Sequence, residues 1–264
     1  MPPIPYRTAL ITGASAGLGA EYARQLGATG TRLILVARRL DRLTDLAREL
    51  REKHAVTVET LQADLSTPEG VERVNRRLAE DETLDLLVNN AGHSGGRSFV
   101  EREPAIHMDM VQVHVVATVR LSRAVLPGMI SRGRGAIINV ASIAAWSAFS
   151  GPMYSGTKAF LVMFSENLQS ELLRTGVSVQ ALCPGMTHTE FHEVAGIDEA
   201  IVPKPFWMTA EEVVRISLRK LGRRVVCIPG WKNKSIAFLM RCPLTAAGVR
   251  AISRLPAVRK KANR

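Results

Sequence analysis

Three residues in the middle of the chain have the types and spacing needed for proton chemistry. Tyr154 and Lys158 lie four residues apart in the segment MYSGTKAF, and Ser142 precedes Tyr154 by twelve residues. Residues i and i+4 share one face of a helix, so a phenol and an ammonium group can meet there. The ammonium favours the phenolate and lowers the phenol's pKa from its usual value of about 10. We therefore predict that Tyr154 exchanges a proton in carbonyl–alcohol chemistry.

A glycine-rich turn near the N-terminus predicts a phosphate-binding site. The apolar run 9–11 is typical of a strand, and it leads through TGASAGLG at 12–19 into a helical segment. Glycines permit a tight turn and a close approach of the backbone, and a helix N-terminus presents free N–H groups to an anion. The spacing is GxxxGxG, which differs from the more familiar GxGxxG of dinucleotide sites.

Four motifs follow one another in the chain: the turn at 12–19, NNAG at 89–92, Ser142 after a strand, and Tyr154 with Lys158. In this order they resemble the motifs of the short-chain dehydrogenase/reductase family, over roughly residues 8–230. The similarity is greatest to the branch with 3-ketoacyl and hydroxysteroid-type reductases. The resemblance implies an oxidoreductase that moves hydride between a nicotinamide and a ketone or secondary alcohol. Tyr154 would then transfer the proton, Lys158 would tune it and bond the ribose, and Ser142 would hold the carbonyl oxygen.

The end of the second predicted strand indicates which cofactor is used. Val36 ends that strand, and Ala37, Arg38 and Arg39 follow. An NAD site places a carboxylate about 20 residues after the glycines to hold the ribose 2′-hydroxyl, which Ala37 cannot do. Arg38 can pair with a 2′-phosphate, and Ser15 in the glycine turn can donate to it; a solvated arginine pair at a helix start is the alternative. By resemblance, a basic residue at Arg38 implies NADP(H).

The resemblance assigns further residues to the cofactor site. Asp64 matches the aspartate beside the adenine, and the segment 184–189 matches the one that contacts the nicotinamide amide. Asn89 matches the residue that braces the central strands, which is a structural role. The predicted cofactor-binding residues are Gly13, Ser15, Gly17, Leu18, Gly19, Arg38, Arg39, Asp64, Leu65, Asn90, Ala91, Gly92, Tyr154, Lys158, Pro184, Gly185, Thr187 and Thr189.

One position departs from the family's pattern. Where the family has an asparagine in the helix before strand five, this chain has His114. That asparagine keeps a helix kink whose backbone carbonyl holds a water linked to the lysine, and an imidazole can also bond water. We therefore count His114 with Ser142, Tyr154 and Lys158 among the candidate catalytic residues. The alternative is a weakened relay, in a cofactor-binding regulatory or scaffold protein that has the fold but has lost turnover.

The substrate side is predicted to be apolar, and no metal is expected. Bulky apolar residues are concentrated in the loop 185–208 and between Ser142 and Tyr154. They are Met186, Phe191, Ile197, Ile201, Val202, Phe206, Trp207 and Met208 in the loop, and Trp146, Phe149 and Met153 before Tyr154. Such residues favour a largely hydrophobic carbonyl compound over a sugar. His188, His192 and Glu193 could suggest a metal site, but no further ligands accompany them.

The apolar pattern predicts an α/β fold, a single doubly wound parallel-sheet Rossmann domain with a basic C-terminal extension. Strand segments such as AIINV are apolar without alternation, as in strands buried on both faces. The predicted strands are 8–12, 32–36, 56–61, 84–88, 135–140, 177–182 and 224–228, and the predicted helices are 17–28, 40–53, 68–80, 103–131, 153–174 and 209–221. The predicted domains are 1–230, which contains the site and the substrate loop at about 185–208, and the extension 231–264.

Composition is consistent with one cytoplasmic domain. The chain has 264 residues, 46% of them hydrophobic, and three cysteines without CxxC spacing, which are typical of reduced thiols. The segment MPPIPYRTAL lacks the pattern of a signal peptide, and no apolar run in the sequence reaches the ~18 residues of a spanning helix. By resemblance, the two longest helices pair in a homodimer or homotetramer.

The net charge of +11 comes entirely from the last fifth of the chain. Residues 213–264 contain 14 Lys and Arg and no acidic residue, whereas the rest of the chain has a net charge of −3. One interpretation is a solvated tail that packs on its own domain or on a second subunit. Others are attachment to an anionic membrane surface and docking of an acidic carrier protein or acyl-CoA. Nucleic-acid binding is not expected, because no platform of interleaved aromatic and basic residues is present.

Overall fold

A computed structural model describes residues 6–94, 98–147, 150–191, 204–242 and 245. Its strands are β1 Thr8–Thr12, β2 Arg32–Ala37, β3 Val58–Gln62, β4 Leu84–Asn89, β5 Gly135–Val140, β6 Val177–Leu182, β7 Thr187–His188, β8 Met208–Thr209 and β9 Val226–Cys227. Seven of them form a parallel sheet in the order β3-β2-β1-β4-β5-β6-β9, and β7 pairs with β8. The strand order reverses between β1 and β4, and the crevice beyond the carboxyl ends of these strands is where such folds bind ligands.

Helices connect the strands. They are α1 Gly17–Gly27, α2 Leu40–His54, α3 Pro68–Ala79, α4 Pro104–Val111, α5 Thr118–Ser131, α6 Pro152–Glu171, α7 Ala210–Lys220 and α8 Trp231–Arg241. A π-helical segment, Gln112–Ala117, joins α4 to α5, and a 3-10 turn, Ile143–Trp146, precedes α6. Local sequence fixes several starts: the Thr67 hydroxyl accepts from Gly70 N–H at the start of α3, and Thr209 forms a capping box with Glu212 at α7.

Both faces of the main sheet are covered by hydrophobic side chains. One layer packs α1, α2 and α7 against the sheet, and the other packs α3, α5 and α6. Every residue of β1 and of β4 is buried, as expected for a parallel sheet between two helical layers. The sheet is therefore a rigid base from whose carboxyl edge the loops with the predicted functional residues extend.

The predicted fold class is confirmed, and most predicted elements lie within three residues of the observed ones. The predicted helix 103–131 is wrong in one respect, because the π-helical segment interrupts its α-helical geometry. The ladder of β7 and β8 was not predicted; it ties together the two ends of the substrate loop 185–208, of which residues 192–203 lie outside the described part.

The predicted C-terminal extension begins with α8. Asn233 and Ala237 of this helix are 3% and 0% exposed, and the Arg241 guanidinium lies 4.9 Å from the ring centroid of Trp146. The first part of the extension therefore packs on the domain beside the 3-10 turn. The division of the chain at residue 230 stays a prediction.

The stretch Pro104–Ser131 is the one described segment that is long and apolar enough, by length and composition, to cross a membrane. The expectation from sequence that no run is long enough therefore does not hold for this helical stretch. Of its most apolar window, 44% is buried inside the protein, and Leu121, Val125 and Met129 pack in the hydrophobic layer with α3 and α6. Core helices commonly have this composition, so the stretch is weak support for a membrane span.

Candidate active site

Ser142, Tyr154 and Lys158, three of the four candidate catalytic residues, come together at the carboxyl edge of the sheet. Ser142 follows β5 and caps the 3-10 turn, where its hydroxyl accepts from Ala144 N–H at 3.1 Å. Tyr154 and Lys158 lie on the first turns of α6, whose start is set by Pro152 at its first position. The Ser142 side chain lies close enough to Tyr154 to favour the ionised form of its phenol. The Nζ atom of Lys158 lies 5.6 Å from the centre of the Tyr154 ring.

Lys158 is a buried amine held against the backbone. Its side chain is 4% exposed, and Nζ donates to the carbonyl oxygen of Val140, the last residue of β5, at 2.7 Å. Burial lowers the pKa of Lys158 from 10.5 to about 8, because the charged form loses its hydration. The amine is thus fixed in position and still mostly protonated at neutral pH.

Burial also dominates the protonation of Tyr154. Its surroundings raise the pKa of Tyr154 to about 12, and the hydrogen bond from Ser142 only partly opposes this. The expectation of a lowered phenol pKa is therefore wrong for the protein alone, since the loss of hydration on burial dominates. At neutral pH Tyr154 is a phenol and can act as a proton donor.

His114 is fully engaged by protein groups. It is 1% exposed and lies in the π-helical segment. Its Nε2 accepts from the His93 backbone N–H at 3.1 Å, so the ring proton lies on Nδ1. That nitrogen then donates to Thr157 Oγ1 at 2.9 Å, and the Thr157 hydroxyl donates to the Tyr154 carbonyl oxygen at 3.1 Å. Both ring nitrogens have partners, so the imidazole links two parts of the site rather than offering a free nitrogen to water.

The surroundings of His114 keep it neutral and close to the NNAG motif. Burial and the nearby Lys158 charge hold the pKa of His114 well below its usual 6.5. A Cβ atom added at Gly92 would lie 2.6 Å from His114 Nε2, so the imidazole packs where any larger residue would clash. The rings of His114 and Tyr154 meet edge to face, with centroids 6.0 Å apart. His114 therefore connects the segment at 91–93 to the start of α6.

The glycine turn packs directly against the NNAG motif. Asn90 donates from its side chain to the carbonyl oxygens of Thr12 at 2.9 Å and Gly13 at 3.2 Å, and its backbone N–H donates to Thr12 Oγ1 at 2.9 Å. A Cβ atom at Gly19 would lie 2.3 Å from the Gly13 carbonyl oxygen, which requires glycine there. The turn, the N-terminus of α1 and the NNAG motif thus form one wall of the crevice.

Asn89 and Asp64 have structural partners. The Asn89 side chain is buried and donates to Asn139 Oδ1 at 2.9 Å and to Ser122 Oγ at 3.2 Å, which fits the predicted bracing of the central strands. The Asp64 carboxylate accepts from both the backbone and the hydroxyl of Ser66, so it shapes the turn after β3. The neighbouring Leu65 is 6% exposed and packs in the core.

The donor groups beyond β2 fit a phosphate. Ala37 is 8% exposed and offers no carboxylate, whereas Arg38 and Arg39 are exposed at the end of the strand. Arg39 donates to Ser15 Oγ from Nε at 3.3 Å and from Nη2 at 3.1 Å. Guanidinium groups and a hydroxyl next to a helix N-terminus are the donors that a ribose 2′-phosphate requires.

The segment after β6 lies across this crevice. The Pro184 carbonyl oxygen accepts from Ile143 N–H at 3.0 Å, and the Thr187 hydroxyl donates to the Gly185 carbonyl oxygen at 3.1 Å. The Thr189 side chain lies against Gly17 in the glycine turn, 3.3 Å from where a Cβ would stand. The ring of Phe191 lies 5.9 Å from that of Tyr154, centre to centre.

The substrate side is described only in part. Phe149, Ile197, Ile201 and Val202, and with them His192 and Glu193, lie outside the described residues. Where the chain is described, Trp146, Met153, Met186, Phe206, Trp207 and Met208 are half-buried. The His188 ring stacks on Trp207 with centroids 4.8 Å apart. Within the described residues, no three His, Cys, Asp or Glu side chains are grouped as a metal site requires.

Several residues of the site were not found from the sequence. Thr12, Thr157 and the backbone of His93 organise the motifs, and Asn233 of α8 donates to the Pro229 carbonyl oxygen at 3.0 Å beside the Gly185 segment. Thr12 directly precedes Gly13 of the glycine turn, and Thr157 directly precedes Lys158. Their places within the motifs could therefore have indicated that they belong to the site. Asn233 lies far from any motif and had no such indication.

Comparison with known proteins gives the same family that the motifs resemble. A profile of the short chain dehydrogenase family matches residues 7–200. The very-long-chain 3-oxoacyl-CoA reductase of Pyrenophora tritici-repentis is 35% identical over 223 residues, which cover 81% of this chain and 63% of that protein. The chain thus spans less than two thirds of that relative's length.

Solved structures match over nearly the whole chain. A short-chain dehydrogenase from Sphingobium yanoikuyae in complex with NADPH is 36% identical with a TM-score of 0.81, covering 94% of this chain and 96% of that one. The bulky-bulky ketone specific alcohol dehydrogenase from Comamonas testosteroni is 31% identical with a TM-score of 0.78, covering 94% of each chain. The chain therefore belongs to the short-chain dehydrogenase/reductase family of oxidoreductases.

Proposed function

We propose that the protein is an NADP(H)-dependent oxidoreductase that interconverts a ketone and a secondary alcohol on a largely hydrophobic substrate. The observation that carries this proposal is the convergence of Ser142, Tyr154 and Lys158 at the crevice beside the glycine turn. The exposed Arg38 and Arg39, with Ser15 and without a carboxylate at Ala37, support NADP(H) over NAD(H).

The mechanism assigns one task to each side chain. Bound NADPH supplies the hydride. Tyr154, with a pKa of about 12, is protonated at neutral pH and gives its proton to the developing alkoxide. The hydroxyl of Ser142, which lies beside Tyr154, is placed to hold the same oxygen. Lys158 stays fixed by Val140 and stabilises the phenolate that remains after transfer.

His114 acts in this scheme as a positioning residue. Its two ring nitrogens hold the His93 backbone and the Thr157 hydroxyl, which lies between Tyr154 and Lys158 on α6. It thereby holds the segment at 91–93 in a fixed position relative to Tyr154. Because both ring nitrogens are occupied, the His114 side chain does not hold a relay water, and a relay at this position would use the backbone carbonyl alone.

The apolar groups around Tyr154 support a bulky, largely hydrophobic substrate. Phe191 approaches the Tyr154 ring, and Trp146 precedes it by eight residues on the 3-10 turn. The Comamonas enzyme is described as specific for bulky-bulky ketones, and the Pyrenophora protein as acting on very-long-chain 3-oxoacyl-CoA. We infer a ketone flanked by large apolar groups or by a long acyl chain.

The direct test measures NADPH oxidation with a panel of aryl, steroidal and acyl-chain ketones. We expect turnover with at least one bulky ketone, little with sugars, and far less with NADH. Turnover only with sugars would contradict the inferred substrate. Tight NADPH binding without turnover of any ketone would favour the regulatory or scaffold alternative.

We infer a homo-oligomer in which α5 and α6 pair with those of a second copy. Partly exposed apolar side chains lie on both helices, among them Val119 and Ile130 on α5 and Phe160 and Met163 on α6. Burying such a surface is favourable at about 25 cal/mol per Å². Light scattering should give the mass of a dimer or tetramer for the parent and a lower mass for Met163→Glu.

The surface of α8 favours a second property, attachment to an anionic membrane. Trp231, Phe238 and Leu239 on this helix are 73%, 68% and 47% exposed. Lys232 and Lys234 lie on the same helix, within the acid-free part of the chain. Each basic residue near an anionic bilayer contributes on the order of 1 kcal/mol, and exposed aromatic rings can insert at the interface.

Point substitutions test this better than truncation, because removing α8 would also remove the buried Asn233. The parent should sediment with phosphatidylserine vesicles at low salt and release at high salt. The double variant Trp231→Ser/Phe238→Ser should lose most of this binding. The control Val100→Ser, which changes a 91% exposed residue outside α8, should keep it. Absence of sedimentation even at low salt would contradict the proposal.

A further inference from the structure

A short segment of the substrate loop spans the cofactor crevice, and we call Thr187–Phe191 the strap. Thr187 is buried in the ladder with Met208, Thr189 lies against Gly17, and Phe191 approaches Tyr154. The strap therefore touches the glycine turn and the catalytic phenol within five residues. Any cofactor in the crevice lies close to it.

Another side chain of the strap, Glu190, binds the arginines beyond β2. Its carboxylate accepts from Arg42 at 2.5 and 2.8 Å and from Arg39 at 3.3 Å. Arg39 also donates to Ser15 Oγ in the glycine turn. Arg39 thus lies between a carboxylate of the strap and a hydroxyl of the phosphate-binding turn.

The chemistry of this contact makes it exchangeable. Glu190, Arg39 and Arg42 are each 43–44% exposed, and ion pairs at such positions contribute little to stability. The Arg42 guanidinium lowers the pKa of Glu190, so the carboxylate is charged at neutral pH. A phosphate carries more charge and more acceptor oxygens than a carboxylate, so it competes well for a shared guanidinium.

We propose that Glu190 is a specificity-determining residue of the cofactor site, which competes with the 2′-phosphate of NADP(H) for Arg39. Binding of the phosphorylated cofactor then moves Arg39 from the strap to the phosphate, while Arg42 keeps its hold on Glu190. The identity of the cofactor is thereby coupled to how firmly the strap is tied beside Tyr154. The inference rests on the proposed use of NADP(H), and not on the identity of the substrate.

The test is the dissociation constant of NADPH and of NADH, measured by calorimetry for the parent and for Glu190→Gln. Removing the competing charge should tighten NADPH binding by about twofold to fivefold, and it should leave NADH, which has no 2′-phosphate, unchanged. The difference should disappear at high salt, since the groups are half-exposed. Glu49→Gln is the matched control, because Glu49 forms a similar half-exposed pair with Arg24 on a surface away from the crevice.

The outcomes separate this inference from the proposed function. Weaker or unchanged NADPH binding in Glu190→Gln would overturn it, as would an equal change for both cofactors, which would show a strap that holds any nucleotide. If the parent itself does not prefer NADPH to NADH, the proposed cofactor is wrong. A parent that prefers NADPH with no effect of Glu190→Gln would refute the competition alone.

Discussion

Replacing Lys158 by methionine should stabilise the protein at neutral pH even though it removes a catalytic group. The shift of its pKa from 10.5 to about 8 corresponds to about 3 kcal/mol by which the fold disfavours the charged amine. Methionine fills a similar volume without charge, but it loses the hydrogen bond to the Val140 carbonyl oxygen, which costs about 1–2 kcal/mol. We expect a net gain of about 1–2 kcal/mol at pH 7, at the expense of activity.

The pH dependence of the free energy of unfolding shows whether the buried charge of Lys158 causes this gain. Between about pH 8 and 10.5 the unfolded chain holds the Lys158 proton more tightly than the folded protein does, so the parent gains stability as pH rises through this window. The advantage of Lys158→Met should therefore be complete below about pH 8 and shrink above it. Urea denaturation at pH 7 and 9.5 measures this, with the exposed Lys53→Met as control. A variant that is less stable at pH 7, by the same amount at both pH values, would refute the reasoning.

Three further predictions concern the site. Tyr154→Phe should lower kcat at least about a hundredfold with little change in the Kd of NADPH, since only the proton donor is lost; activity above about a tenth of the parent would contradict its role. Ala37→Asp with Arg38→Leu should shift the ratio of Kd values toward NADH, as fluorescence titration can measure, and equal affinities in the parent would contradict the cofactor assignment. His114→Leu should lower kcat and cost about 1–3 kcal/mol in denaturation, because the half-buried His93 N–H loses its acceptor and the buried Thr157 hydroxyl loses its donor, whereas His114→Asn should keep activity. Thr157→Val should reproduce part of that cost. Because the pKa of His114 is held well below 6.5, the parent should also lose stability as pH falls below about 6.5, and His114→Asn should not.

The fold was predictable because buried parallel strands have a distinctive pattern. The segments at Leu84–Asn89 and Gly135–Val140 are mostly apolar without alternation, as in a sheet covered by two helical layers. Their order along the chain, alternating with amphipathic helices, then limits the topology to a doubly wound sheet. The motifs at strand ends meet at the same edge, so the meeting of Ser142 with Tyr154 followed from the fold class.

The contacts of His114 could not be predicted in the same way. Its partners His93 and Thr157 lie 21 and 43 residues away in the chain. No helix or strand periodicity relates residues at such distances, so the sequence alone does not pair them. The ring is placed by the π-helical geometry at 112–117, which is a local departure from the α-helix that the sequence pattern predicts. The sequence showed that His114 was unusual, but its role as a link depended on distant groups.

The protonation of Tyr154 shows why neighbours in sequence do not determine a site's electrostatics. The spacing of Tyr154 and Lys158 predicted an ammonium that favours the phenolate, but burial disfavours charge on both groups. Burial raises the pKa of Tyr154 to about 12 and lowers the pKa of Lys158 to about 8. The protein alone therefore holds a phenol beside an amine that is mostly charged. A phenol can protonate an alkoxide at neutral pH, whereas oxidation of an alcohol first requires the loss of that proton.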